Sequence, residues 1–159
     1  MLSNYDIERM SHTLRLPFRN AVSKDELHHL FPSVGSYYVL LASHPSSSTV
    51  SHWVFVRVLP QKMAIYFDSF GIPYPPTEIE ELLKRGGITH VYKNSRPIQD
   101  FASDKCGYFC LGLDIWLTNE WKRHKSVDEN LHDYVAMFSD NRKRNDRIIM
   151  EFVRKYLDV

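Results

Sequence analysis

Four residue types that together perform acyl transfer recur along this 159-residue chain: His52 in "SHWVF", Asp68 in "YFDSFG", Gln99 in "RPIQDF" and Cys106 in "DKCGYFC". A thiol attacks a carbonyl only when a base handles its proton and donors meet the oxyanion that forms. Strands 52–58 and 63–68 are joined at "LPQ", and a turn centred on Pro60 sets His52 opposite Asp68 on one face. Opposed residues have Cβ atoms about 4.5–5.5 Å apart. The carboxylate would then hold one ring nitrogen and leave the other aimed outward. A slip of one residue would carry Asp68 to the other face. Alone, such a pair could simply close the end of a sheet; a nucleophile would give it a use.

Cys106 falls near the third residue of a helix that starts about Asp104, with Ser103 or Asp104 as N-cap. Unpaired backbone N–H groups and the helix dipole stabilise a thiolate at such a place. Gly107 after it would let a substrate backbone come close. The Gln99 amide could join the Cys106 N–H as a donor pair, an arrangement worth roughly 3–4 kcal/mol of barrier. Cys110, one turn on among Phe109, Leu111 and Leu113, reads as a small buried hydrophobe. These are the two cysteines of the chain, and helical spacing gives them poor disulfide geometry, so free thiols in a reducing compartment are expected. No His or Cys spacing supplies a metal-ligand set. His12, His28, His29, His44, His124 and His132 fall in turns, loops or polar helix faces; His90, inside a strand, is a second candidate base with no carboxylate opposite it.

The elements that must position these groups follow from periodicity. "LSNYDIERMSHTL" predicts a helix over 4–14, capped by Ser3 or Asn4, and a short turn follows Asp25 through "ELHHLF". Runs 37–42, 52–58, 63–68 and 88–93 are rich in Val, Ile, Tyr and Phe and predict strands. In the second, Val54, Val56 and Val58 share one face and Trp53 and Phe55 the other, so it is central and covered on both sides. Helices are predicted at 76–87, 104–121, 126–139 and 141–157. The result is an α+β fold, a central mixed sheet covered by helices, in one domain over 1–159. The Ser-rich stretch 43–51 is a loop.

Composition narrows the partners. Twenty Lys and Arg against nineteen Asp and Glu leave a net charge of +1, with no global field for DNA or an anionic membrane. "NRKRNDR" (141–147) could touch phosphates, but residues 116–159 hold nine basic against eight acidic side chains, an ordinary solvated face. No run reaches the roughly 18 apolar residues of a membrane span. A soluble intracellular monomer is expected.

With His, Asp, Gln and Cys in that chain order, the sequence resembles the adenain-type cysteine proteases, the maturation proteases of adenoviruses, virophages and Polinton elements, which share a fold with proteases of ubiquitin-like modifiers. The matching motifs are "SHWVF", "YFDSFG", the glutamine and "DKCGYFC", with "LSNYDIERM" and "AVSKDEL" near the N-terminus; the likeness covers about residues 1–117. It implies Cys106 as nucleophile, His52 as base, Asp68 as its orienting acid and Gln99 at the oxyanion. It also implies Trp53 as wall of a narrow channel admitting glycine, although Trp53 could equally fill the core. The implied substrates are viral capsid or core precursors cut at Gly-containing sites, in host cytoplasm or nucleus and in the virion. Removal of a ubiquitin-like modifier, or a non-catalytic virion binding role, are the alternatives. A DNA or peptide activator is left open, since neither charge nor cysteine count implies one.

Overall fold

The computed structural model describes residues 1–41 and 51–157; His44 and most of the Ser-rich loop lie outside the described residues. Helix α1 (Asn4–Thr13) opens on a capping box: the Asp6 N–H donates to Ser3 Oγ at 3.1 Å and the Ser3 N–H to Asp6 Oδ2 at 2.9 Å. Five strands follow: β1 (Phe18–Ser23), β2 (Gly35–Leu40), β3 (Trp53–Leu59), β4 (Met63–Phe67) and β5 (His90–Lys93). They lie side by side in chain order, with β1–β2 and β4–β5 parallel and the central pairs antiparallel. A 3-10 turn (Lys24–His29) and α2 (Thr77–Arg85) provide the crossovers. The architecture is the expected α+β mixed sheet covered by helices.

Both faces of β3 are buried, as its apolar alternation requires. Val54, Val56 and Val58 pack with Tyr37, Val39, Tyr66 and the α2 side chains Ile79 and Leu82. Trp53 and Phe55 pack on the other face, where α1, α3 (Cys106–Asn119), α4 (Val127–Ala136) and α5 (Asn145–Leu157) gather. Helix α3 is apolar nearly all round because it is enclosed between the sheet and the other helices. Gly112 allows that enclosure: a Cβ there would come within 2.4 Å of Ile149 Cδ1 and 2.7 Å of the Tyr134 hydroxyl.

One polar cluster crosses this core. Asp114, fully buried on α3, pairs with Arg57 of β3 and accepts from the hydroxyls of Ser36 (2.7 Å) and Tyr38 (2.6 Å). Arg57 also reaches Thr118 Oγ1 at 3.1 Å. The pair fixes how α3 lies along β3. Removing one partner of a buried pair strands the other in a low dielectric and costs about 3–5 kcal/mol. Asp114→Ala is therefore expected to lower the urea midpoint sharply, by an unfolding free energy of that order, with Asp114→Asn less affected. A wild-type midpoint for Asp114→Ala would contradict this role.

Candidate active site

The β3–β4 hairpin turns through Pro60–Lys62, with Gln61 and Lys62 at φ of 64° and 59°. Leu59 pairs with Met63 and Phe55 with Phe67, so Asp68 stands across from Val54 rather than from His52. The turn is centred on Gln61, one residue beyond the expected Pro60. Because the resulting offset is two residues, His52 and Asp68 keep the same face and meet along the diagonal. His52 Nε2 donates to Asp68 Oδ1 at 2.7 Å, with the two side chains 12% and 4% exposed.

Asp68 is held from several directions. Its Oδ1 also accepts the Phe70 N–H at 2.8 Å, and the Asn94 side chain accepts the Asp68 N–H at 3.2 Å and donates to the Asp68 carbonyl at 2.9 Å. Gly71, at φ +77°, closes the turn in contact with the Arg96–Pro97 backbone, where a Cβ would meet Pro97 N at 2.6 Å. Asn94 and Phe70 were not among the sequence candidates; an asparagine ending a strand and a phenylalanine after an acid carry no signal of their own.

Cys106 arrives from α3. It is the first helical residue, two positions earlier than expected, behind Lys105 as an N-cap whose side chain makes no cap hydrogen bond. At that position its backbone N–H has no intrahelical acceptor. The sulfur accepts the Trp53 N–H at 3.4 Å, on the residue next to His52, and lies near enough to the imidazole to raise its pKa. With Nε2 committed to Asp68, Nδ1 is the ring nitrogen left for the thiol. Burial pushes the His52 pKa down, but its hydrogen bond to Asp68, the nearby Cys106 sulfur and the charges of both outweigh that, raising it from 6.5 to about 9. The Cys110 thiol, fully buried and pushed up chiefly by that burial, donates to the Trp53 carbonyl at 3.5 Å.

The remaining candidates lie around this core. Gln99 is buried; its Oε1 accepts from Ser69 Oγ, and its Nε2 donates to Ser103 O at 3.1 Å and Ser103 Oγ at 3.3 Å. Ser69 thus ties the Asp68 segment to the loop leading into Cys106. Trp53 is 2% exposed, and its indole N–H donates to Leu2 O at 2.9 Å. One edge lines a cleft of about 340 Å³ with Leu2, Ala21, Val22 and Leu40. The space beside Gly107 is taken by Leu2, whose Cδ1 would lie 3.0 Å from an added Cβ. His90 pairs with Met63, at the far end of β4 from Asp68, and is exposed with the other described histidines of turns and helix faces. Among the described residues no cluster of His, Cys, Asp or Glu is arranged to hold a metal, and no helix is long and apolar enough to cross a membrane.

The imidazole's raised pKa sets a testable pH range. Since it exceeds the unfolded value, the charge's contribution to stability is complete below about 6.5 and is lost as pH rises through about 9. An NMR titration of His52 is expected to give a midpoint near 9 in the wild type, falling toward 6.5 in Asp68→Asn. A wild-type midpoint near 6.5 would contradict the coupling.

No protein-family model matches the chain, and no curated protein matches its sequence. Thirteen chains of solved structures match its fold, two of them as follows. The crystal structure of the ASFV pS273R protease matches at TM-score 0.50 and 14% identity, covering 84% of this chain and 66% of the protease, just under two thirds of that protein's length. The central domain of the uncharacterized Lpg1148 protein from Legionella pneumophila matches at TM-score 0.50 and 14% identity, covering 99% of this chain and 96% of that domain. The chain therefore has a mixed-sheet α+β fold of the ubiquitin-like-protease type, one that a viral protease also adopts.

Proposed function

We propose that this chain is a thiol endopeptidase that cuts viral or mobile-element precursor proteins at glycine-containing sites. The observation that supports the reading is the His52–Asp68 hydrogen bond with the Cys106 sulfur against the N–H of the next residue, Trp53. Cys106 attacks the scissile carbonyl carbon and forms the C–S bond. His52 already holds the thiol proton near neutral pH, as its raised pKa requires, and gives it to the leaving amine as the C–N bond breaks, while Asp68 keeps the imidazole oriented. Water then attacks the thioester with the same imidazole as base, releasing the acid and restoring the thiol. The Cys106 N–H is one oxyanion donor. Gln99, bonded to Ser69 and to Ser103 on the loop leading into Cys106, is the second donor in this reading.

Glycine preference is supported by the cleft beside Trp53. A cleft of about 340 Å³ bounded by the indole, Leu2 and Leu40, with Ser3, Asn4, Ser23 and Glu26 also in its lining, has room for an extended backbone with little side chain. A partner with Gly-Gly before the bond fits that slot whether it is a virion precursor or a ubiquitin-like fusion. The two substrates separate the readings: cleavage of precursor peptides alone supports maturation, and cleavage of the fusion supports deconjugation.

Purified wild type is expected to cleave a Gly-Gly-containing precursor peptide. Cys106→Ala and His52→Ala should each lose about 10³-fold or more in kcat/KM. Cys106→Ala should stay folded with a modestly lowered melting temperature, because the buried Trp53 N–H loses its sulfur acceptor while Arg57 and Asp114 still hold α3 on β3. Wild-type activity in Cys106→Ala would end the proposal.

A further inference from the structure

The imidazole of His52 is the first member of a stack of rings. Phe70 lies over it with centroids 4.2 Å apart and planes 20° apart. Phe101 tilts onto Phe70 at 5.1 Å, and the Arg142 guanidinium carbon stands 5.3 Å from the Phe101 centroid. These separations fall in the range where aromatic pairs and guanidinium–aromatic contacts are favourable. Phe101 is nevertheless 72% exposed.

A lone exposed phenylalanine carries no message. Two features set this one apart. Its loop is anchored on both sides, by buried Gln99 bonded to Ser69 and Ser103, and by Ser103 Oγ donating to Asp146 Oδ1 of α5 at 2.6 Å. The ring is thus held out on a fixed support. It is also continuous with the one side chain whose position defines a direction along a substrate. An imidazole that protonates the departing amine must lie on the leaving-group side of the sulfur. Whatever stacks outward from that imidazole borders the residues that follow the cut. The Trp53–Leu2 cleft belongs to a different wall of the site and shares no lining residue with this stack.

We propose that Phe70 and Phe101, with Arg142 on the outer side, form a leaving-group subsite that takes an aromatic or large apolar side chain at the first or second position after the scissile bond. The proposal rests on the protease reading. The incoming side chain covers the exposed ring of Phe101 and completes the stack, while Phe70 remains against His52. A polypeptide substrate with an aromatic residue soon after its glycines is the class of partner this surface selects.

The test uses internally quenched peptides with Gly-Gly on the acyl side and each amino acid in turn at the first and second positions beyond the bond. Wild type is expected to cleave Phe, Tyr or Trp peptides about tenfold more efficiently than the Gly peptide at one of those positions, and Phe101→Ala to reduce that ratio to below about threefold. Phe31→Ala, another exposed phenylalanine, should keep the wild-type ratio. Iodoacetamide labelling of Cys106 reports that Phe101→Ala still presents its thiol. Cleavage without an aromatic preference, or a preference that survives in Phe101→Ala, overturns the subsite and leaves the protease reading standing. A wild type that cleaves no peptide of the set overturns that reading and the subsite with it.

Discussion

The peptide group at Trp53, bracketed by two sulfur atoms one helical turn apart, is the contact on which the site depends. The His52 carbonyl points to Leu41 on β2, so the N–H and C=O of Trp53 point the opposite way, toward β4. β4 has already ended at Phe67, and no strand is there to receive them. Cys106 accepts the N–H and Cys110 donates to the carbonyl. A place where the sheet stops is thereby sealed by the helix that carries both cysteines. The four-residue spacing of the cysteines puts both on one face of α3, so that they flank the N–H and the C=O of a single strand residue. Further along, Arg57 and Asp114 repeat the strand-to-helix connection with charge. Two attachments on one strand and one helix leave α3 little freedom to slide, and His52 adjoins the first of them.

That rigidity explains why a histidine can be charged where little water reaches it. Burial opposes the imidazolium, and the fixed Asp68 carboxylate and the nearby Cys106 reverse the balance. The partners are fixed because their supports are. Asn94 holds the backbone of Asp68, the Phe70 N–H shares its carboxylate, and Ser69 links the same segment to Gln99. Three consecutive residues, Asp68, Ser69 and Phe70, thus hold His52 Nε2, bind the Gln99 amide and cover the imidazole ring. Their turn needs Gly71 next, since the Arg96–Pro97 backbone passes too close for a side chain.

Much of this was legible in the chain. The alternating apolar faces of 53–58 identified the central strand, and hairpin register, helix start and the resemblance to adenain-type proteases together made His52, Asp68, Gln99 and Cys106 the candidates. Register was less so: Pro60 is the obvious turn residue, yet the turn is centred on Gln61, and the diagonal pairing survived only because parity did. Strand β1 was missed because "FRNAVS" is a half-exposed edge with Arg and Asn in it, lacking the β-branched run of a buried strand. The helix start was set two residues early because Ser103 and Asp104 look like caps; Ser103 instead serves Gln99, Lys105 and Asp146. Leu2 gave no sign of its place against Trp53 and Gly107, since such contacts depend on how α1 docks rather than on local pattern.

The central claim is that Asp68, His52 and Cys106 act as one proton-transfer unit built by docking α3 on β3. Its most direct test is the rate of Cys106 alkylation by iodoacetamide near neutral pH, mapped by mass spectrometry in wild type and His52→Ala. The account predicts that wild-type Cys106 reacts about tenfold faster or more, with Cys110 inert in both chains. Equal rates at Cys106 with and without the imidazole would show that the two groups are neighbours without being partners.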